Sequence, residues 1–239
     1  MDESLIREQR KSNILIFQMG RVGSLSVKQA LKGSGFRPLH VHYMYDPIEP
    51  GHGSGKDYGF IKAHLQEPVK IITIIRDPVA RSVSAWTRLR LRRPYTNADS
   101  TDAIKWIEKE ENWKWAIRWW RTQFDKFTGT DTITMFRKKG LKTYKNIIYD
   151  SPAGLVLVLR NENLDNQSGV LSTFVNCKVK IGRYNVTGGT WKASRDAFLE
   201  LIDKIKFSEE FLNKVYNTRV IKSAYSHEEI EVFKERWAR

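Results

Sequence analysis

A chain of 239 residues with 41% hydrophobic, 12% aromatic and 28% charged residues can build a sizeable core and lacks the composition of a disordered protein. Its 41 Lys and Arg outnumber its 27 Asp and Glu, a formal net charge of +14, so its surface should attract anions such as nucleotides, acidic glycans, nucleic acid or membrane headgroups. The one cysteine, Cys177, excludes an internal disulfide framework and all-cysteine zinc sites, and it fits a reducing compartment.

Residues 1–13 are polar and charged and do not read as a secretory leader. The first apolar run, Ile14 to Phe17, is short and β-branched. Gly20-Arg21-Val22-Gly23-Ser24 follows, and then a helical pattern with Leu25, Val27 and Leu31 apolar. This predicts a strand, a glycine loop and a helix, the opening of an α/β unit. Gly33 and Gly35 should end the helix. Leu39 to Tyr43 predicts a second strand on which His40 and His42 alternate with apolar residues. One of the two is expected to be a satisfied core histidine. Residues 46–58, rich in Gly and Pro, predict a loop, and Phe60 to Ala63 a brief extended segment. Val69 to Ile75 is almost wholly apolar, as expected of a strand covered on both faces.

Beyond Arg76, Asp77 should cap and Pro78 should open a helix reaching about residue 90. Residues 102–127 predict one or two helices, with Trp106, Trp113, Trp115, Trp119 and Trp120 chiefly packing. Residues 154–159 predict a further buried strand. Helices are expected over 193–206, 209–219 and 228–237, the last opened by a capping box, Ser226-x-x-Glu229. No apolar run is long enough to span a bilayer, and the expected location is cytoplasmic. Strands and helices alternate over the first 160 residues. The expected architecture is therefore one α/β domain over 1–239, a P-loop-like parallel sheet flanked by helices, with a helical C-terminal third.

Chemistry concentrates in two places. The loop Arg21-Val22-Gly23-Ser24-Leu25-Ser26 offers glycine backbone, hydroxyls, a guanidinium and a helix N-terminus, a set that suits a phosphate. It is neither a Walker A loop nor G-x-G-x-x-G, and a plain strand-to-helix turn is the alternative. The second place is Arg76, at the carboxyl end of the apolar strand, with Ser84 eight residues on and two turns into the helix. The two can clasp one anion; the alternative is an Arg76 salt bridge to a neighbouring helix.

These two motifs, in this order, resemble the nucleotide-binding motifs of sulfotransferases that use 3′-phosphoadenosine 5′-phosphosulfate. The resemblance implies that residues 21–26 cradle the 5′-phosphosulfate and that Arg76 and Ser84 grip the 3′-phosphate. Phe60 to Leu65 is similar to the family's Lys-Thr-His-Leu segment, with Ala63 in place of Thr. On that likeness His64 is the catalytic base and Lys62 stabilises the bridging oxygen. Some glycan sulfotransferases place their base, a Glu, at the end of the second strand, which makes His42 the second candidate. The family's basic Arg-Lys-Gly loop is missing, and Arg183 is the nearest stand-in. Scattered stretches (18–26, 124–131, 157–164 and 216–233) resemble the bacterial capsular-polysaccharide branch.

What the resemblance implies is an enzyme that moves a sulfuryl group to a hydroxyl of a glycan or small molecule. It would release adenosine 3′,5′-bisphosphate and would need no metal and no nucleic acid. Residues 46–58 and 95–101 would shape the acceptor pocket, and Arg88, Arg90, Arg92 and Arg93 form either a solvated helix end or an acidic-glycan contact. Two other readings stay open. A P-loop nucleotide kinase-like enzyme is weakened by the missing Gly-Lys-Ser/Thr, and a basic nucleic-acid-binding module by the lack of a reader motif.

Overall fold

A computed structural model describes residues 12–45, 58–91, 99–182 and 199–239. The chain opens with β1 (Ser12–Phe17), buried from Ile14 onward, and passes through the glycine loop into α1 (Ser24–Gly33). β2 (Leu39–Val41) is only three residues long. α2 (Tyr58–His64) leads directly into β3 (Leu65–Ile75), which is followed by α3 (Pro78–Leu91). The tryptophan-rich stretch divides into α4 (Ser100–Glu108), α5 (Glu110–Trp119) and a π-helical turn, Trp120–Asp125. After α6 (Thr132–Lys138) come β4 (Asn146–Ser151) and β5 (Gly154–Arg160), joined by the tight turn Pro152-Ala153. Then follow a 3-10 turn over Asn161–Asn166, α7 (Ser168–Val175), α8 (Glu209–Tyr216), α9 (Arg219–Ala224) and α10 (His227–Trp237).

The five strands form one sheet in the order β2-β1-β3-β5-β4. β1 pairs in parallel with β2 and β3, and β3 pairs in parallel with β5. The middle strands carry Ile71, Ile72 and Ile74 on β3 and Val156 to Leu159 on β5, all with essentially no exposed surface. Helices cover both faces, which is why both side-chain sets of these strands are apolar. Phe17 at the end of β1 packs on Trp119, ring centroids 4.8 Å apart, and the buried tryptophans serve chiefly as core.

Three local expectations are corrected. The sheet is mixed, because β4 runs antiparallel to β5. Asn146 to Ser151 before a two-residue turn is a hairpin signal that an α/β reading passes over. Residues 58–64 are helical rather than extended, with Ile61 buried in the core; one short apolar pair suits either period. β3 starts at Leu65, four residues before its apolar run. The capping box of α10 is present, with Ser226 and Glu229 bonding each other's main chain. Among the described residues no helix is long and apolar enough to cross a membrane.

Candidate functional site

The carboxyl ends of β2, β1, β3 and β5 open on one side of the sheet, and β1 is where the chain order reverses, since β2 lies to one side of it and β3 to the other. Ligands of open α/β sheets bind at such a switch point. A cleft of about 860 Å³ lies here. The loop after β1 forms its floor. Gly20, Arg21 and Gly23 all have positive φ (84°, 63° and 83°). At Gly23 a Cβ would collide with the Asn161 side chain and come within 2.7 Å of Leu164, so glycine is required for close approach as well as for conformation. Asn161 Nδ2 donates to Val22 O at 3.0 Å, tying the loop to the end of β5. No side chain caps α1, and Ser24, Leu25 and Ser26 of its first turn line the cleft, so an anion there would meet the helix N-terminus; Ser26 N–H itself bonds to Gly23 O.

Guanidinium groups gather around this floor. Arg76 and Ser84 both line the cleft, together with Arg21, Ser24 and Ser26. Arg76 Nη1 donates to Arg21 O at 2.8 Å. Arg81, one helical turn before Ser84 on the same face of α3, is 7% exposed and has no ion-pair partner among the described residues. Its Nε and Nη2 make only long contacts, 3.4 Å each, to the carbonyls of Gly20 and Met19. Burial lowers it to about 10, with Arg21 and Arg76 adding to the shift against the opposing influence of Tyr43, and at neutral pH it stays charged.

Carboxylates also stand near these cations: Glu111, Glu162 and Asp165 line the cleft, and Asp77 follows Arg76 in the chain. Asp77 is buried and accepts from Val79 N–H (2.9 Å), Tyr216 O–H (2.7 Å) and Trp237 Nε1–H (2.9 Å). Glu162 accepts from Asp77 N–H (2.7 Å) and Tyr225 O–H (3.0 Å). Burial pushes both carboxyls upward against these donors. Asp77 also caps α3, as its position before Pro78 predicts.

Both strand-end histidines reach the cleft. Two residues apart, they would share a face of a strand; the β2 ladder ends at Val41, and His42 lies in a bend just beyond it, its Nδ1 3.0 Å from Gln18 O. The rings meet edge to face, centroids 5.0 Å apart. His40 Nε2 is 3.0 Å from Ser24 Oγ. Burial, then His42 and Lys28, holds His40 down at about 3. His42 is also lowered, first by loss of water around the ring and then by Arg21, Arg81 and Lys28, with the Gln18 carbonyl opposing. Fully buried Gln18 stands between the rings, and the indole of Trp119 holds His42 O at 2.7 Å.

Lys62 and His64 are not brought to this place. They close α2, and the next residue, Leu65, pairs with Ser12 at the amino end of β1. Arg76 lies beyond the other end of β3, on the order of 30 Å away for a strand of this length. Being helical, the two side chains also do not share a side at a spacing of two. Arg183 and His52 lie outside the described residues, as do Arg92, Arg93 and the side chain of Arg90, and most of both expected acceptor loops; Arg88 borders the cleft. Residues missed by the sequence reading are Arg81, Gln18, His40 as a cleft residue, Asn161 and Glu162. The spacing of Arg81 and Ser84 was a usable signal; the contribution of residues 161 and 162 depends on β5 lying beside β3.

A second cavity of about 470 Å³ beside the π-turn mixes Arg121, Arg137 and Arg219 with Asp125 and Asp131; it takes residues from the stretches 124–131 and 216–233 and none from the two nucleotide motifs. No family model, curated protein or solved structure matches this chain.

Proposed function

We propose that this chain is a sulfotransferase of the sulfotransferase fold, moving a sulfuryl group from 3′-phosphoadenosine 5′-phosphosulfate to a hydroxyl of a carbohydrate-type acceptor. The observation that carries the reading is the shared cleft. Arg76 and Ser84, eight residues apart, border it together with the glycine loop and the uncapped N-terminus of α1. That arrangement supplies two separate anion grips, as a nucleotide phosphorylated at both ends of its ribose requires. Arg81 adds a buried cation that a bound anion would neutralise. Trp106 and Arg88 also line the cleft, and in this reading they offer apolar surface and a charge to a sugar-like acceptor.

In the reaction the acceptor oxygen attacks sulfur, the bond from sulfur to the phosphate oxygen breaks, and adenosine 3′,5′-bisphosphate leaves. The residues act mainly by positioning and by stabilising charge. The acceptor proton passes to the His40–His42 pair rather than to His64, because only the pair borders the cleft.

Titration calorimetry with the full chain tests the reading. Arg76→Ala and Ser84→Ala should weaken adenosine 3′,5′-bisphosphate and leave adenosine 5′-phosphate nearly unchanged. The Arg76 loss should be about 1.5–3 kcal/mol, the range for a charged hydrogen bond. Equal losses for both nucleotides would remove the 3′-phosphate assignment. A wild-type preference for ATP with magnesium would overturn the sulfotransferase reading in favour of a kinase-like one.

A further inference from the structure

The amide of Gln18 meets three groups at the end of β1. The main-chain N–H of Gly20 donates to Oε1, which fixes that end as the oxygen. The other end, Nε2, lies 3.1 Å from His40 Nε2 and 2.7 Å from His42 Nδ1. An amide nitrogen has two hydrogens and nothing to accept with, so each ring nitrogen facing it must carry a lone pair. A proton on His42 Nδ1 could serve the main-chain oxygen of Gln18, but it would stand against the hydrogens of the amide nitrogen, which lies closer. The main-chain oxygen of Gln18, 3.0 Å from the same ring nitrogen, therefore goes without that proton.

We propose that Gln18 is a positioning residue that sets the tautomers of both histidines, keeping the proton of His42 on Nε2 and that of His40 on Nδ1. His42 then meets the cleft as a hydrogen-bond donor. His40 keeps a lone pair on Nε2, beside Ser24 Oγ. Arg21 from the loop, Lys28 from α1 and Arg81 from α3 discourage a second proton on His42, with Tyr43 beside it in the chain; Lys28 and His42 do the same for His40.

The division of labour this implies rests on the sulfuryl-transfer reading. His42 Nε2–H donates to an oxygen of the group in transfer. As the acceptor oxygen bonds to sulfur, its proton passes to Ser24 Oγ, and the Ser24 hydroxyl proton passes to His40 Nε2. Ser24 ends as a hydroxyl and the nucleotide leaves with the electron pair of the broken sulfur–oxygen bond; His40 ends as imidazolium, which the negative charge of the bound sulfuryl group and nucleotide offsets against the burial and cations that disfavour it in the empty cleft.

Imidazole ¹⁵N shifts of the labelled full chain at neutral pH decide the tautomers, with His40→Gln and His42→Gln providing the assignment. The wild type should carry its protons on His42 Nε2 and His40 Nδ1. Gln18→Met leaves the main-chain carbonyl as the remaining partner, so the His42 proton should move to Nδ1. Isosteric Gln18→Glu places an acceptor where the amide hydrogens were, so both facing nitrogens should become protonated. A wild-type His42 protonated on Nδ1, or rings unchanged in both variants, would overturn the proposal. In turnover with 3′-phosphoadenosine 5′-phosphosulfate, Gln18→Glu should lower kcat about a hundredfold with nucleotide KM within a few-fold, and it should shift the pH profile. A merely structural role would not produce that split. If the wild type fails to use this donor, the proposed function falls, while the ring shifts still decide the role of Gln18.

Discussion

His40 illustrates how one residue's surroundings set its chemistry. A histidine ordinarily titrates near 6.5, and this one is held at about 3, chiefly by burial. Between those two values the unfolded chain binds a proton that the native ring refuses, so stability must rise with pH across that window and fall on acidification. One such group gives a slope of about 1.4 kcal/mol per pH unit. In urea unfolding between about pH 6.5 and 4, His40→Gln should lose stability on acidification less steeply than the wild type. Identical slopes would mean that His40 takes up its proton in the native state as readily as in the unfolded chain. Lowered values also mean that the pair is neutral at physiological pH, the state in which one ring can donate and the other accept.

At the scale of elements, the sheet is tied to the C-terminal helices by buried polar bonds. Tyr216 of α8 and Trp237 of α10 both end on Asp77, beside the cleft arginine. A second tie joins β5 to α10. Arg160, 1% exposed, donates from both terminal nitrogens to Glu229 (3.1 and 2.7 Å) and stacks 4.3 Å above the ring of Tyr225. Lys145 adds a third bond to the same carboxylate at 2.7 Å. Burial works against the charge on Glu229, but these donors and the Ser226 N–H outweigh it and bring it to about 2. Because the folded value is depressed, the contribution is present above the unfolded value near 4.3 and is lost as pH falls from there toward 2. Glu229→Gln strands a buried guanidinium and should cost about 3 kcal/mol at pH 7. Urea titrations at neutral and acid pH check this, and a difference that persists at about pH 2 would contradict the ion-pair explanation.

For the whole molecule, the excess of positive charge acts over distances that individual contacts do not. A net +14 favours arrival of anions and opposes compactness by self-repulsion. Adenosine 3′,5′-bisphosphate at about a hundred times its Kd should stabilise the native state by about 2.7 kcal/mol. At fixed ligand concentration the rise in Tm should shrink as ionic strength is raised from about 0.05 to 0.5 M, because screening shortens the reach of the field. Differential scanning fluorimetry across a chloride series measures it. A rise independent of salt would assign binding to contacts other than charge.

What the sequence by itself determined is whatever depends on near neighbours along the chain. The apolar runs of β1, β3 and β5, the glycine loop, the Asp77-Pro78 start of α3 and the Ser226–Glu229 box all follow from local period and capping chemistry, and each is present. Arg76 and Ser84 were legible for the same reason: a strand end and the first two turns of the helix after it set their relation. Tertiary structure alone decided the rest. Phe60 to His64 contains too few apolar residues to declare a period, so its helix was hidden, and with it the fact that Lys62 and His64 stand at the far end of the sheet. The gathering of His40, His42, Arg81 and Asn161 at one cleft, with Gln18 buried against the two rings, required the order β2-β1-β3-β5. Strand order is set by pairing between distant segments, such as Ile71 with Val156, and no local pattern carries that information.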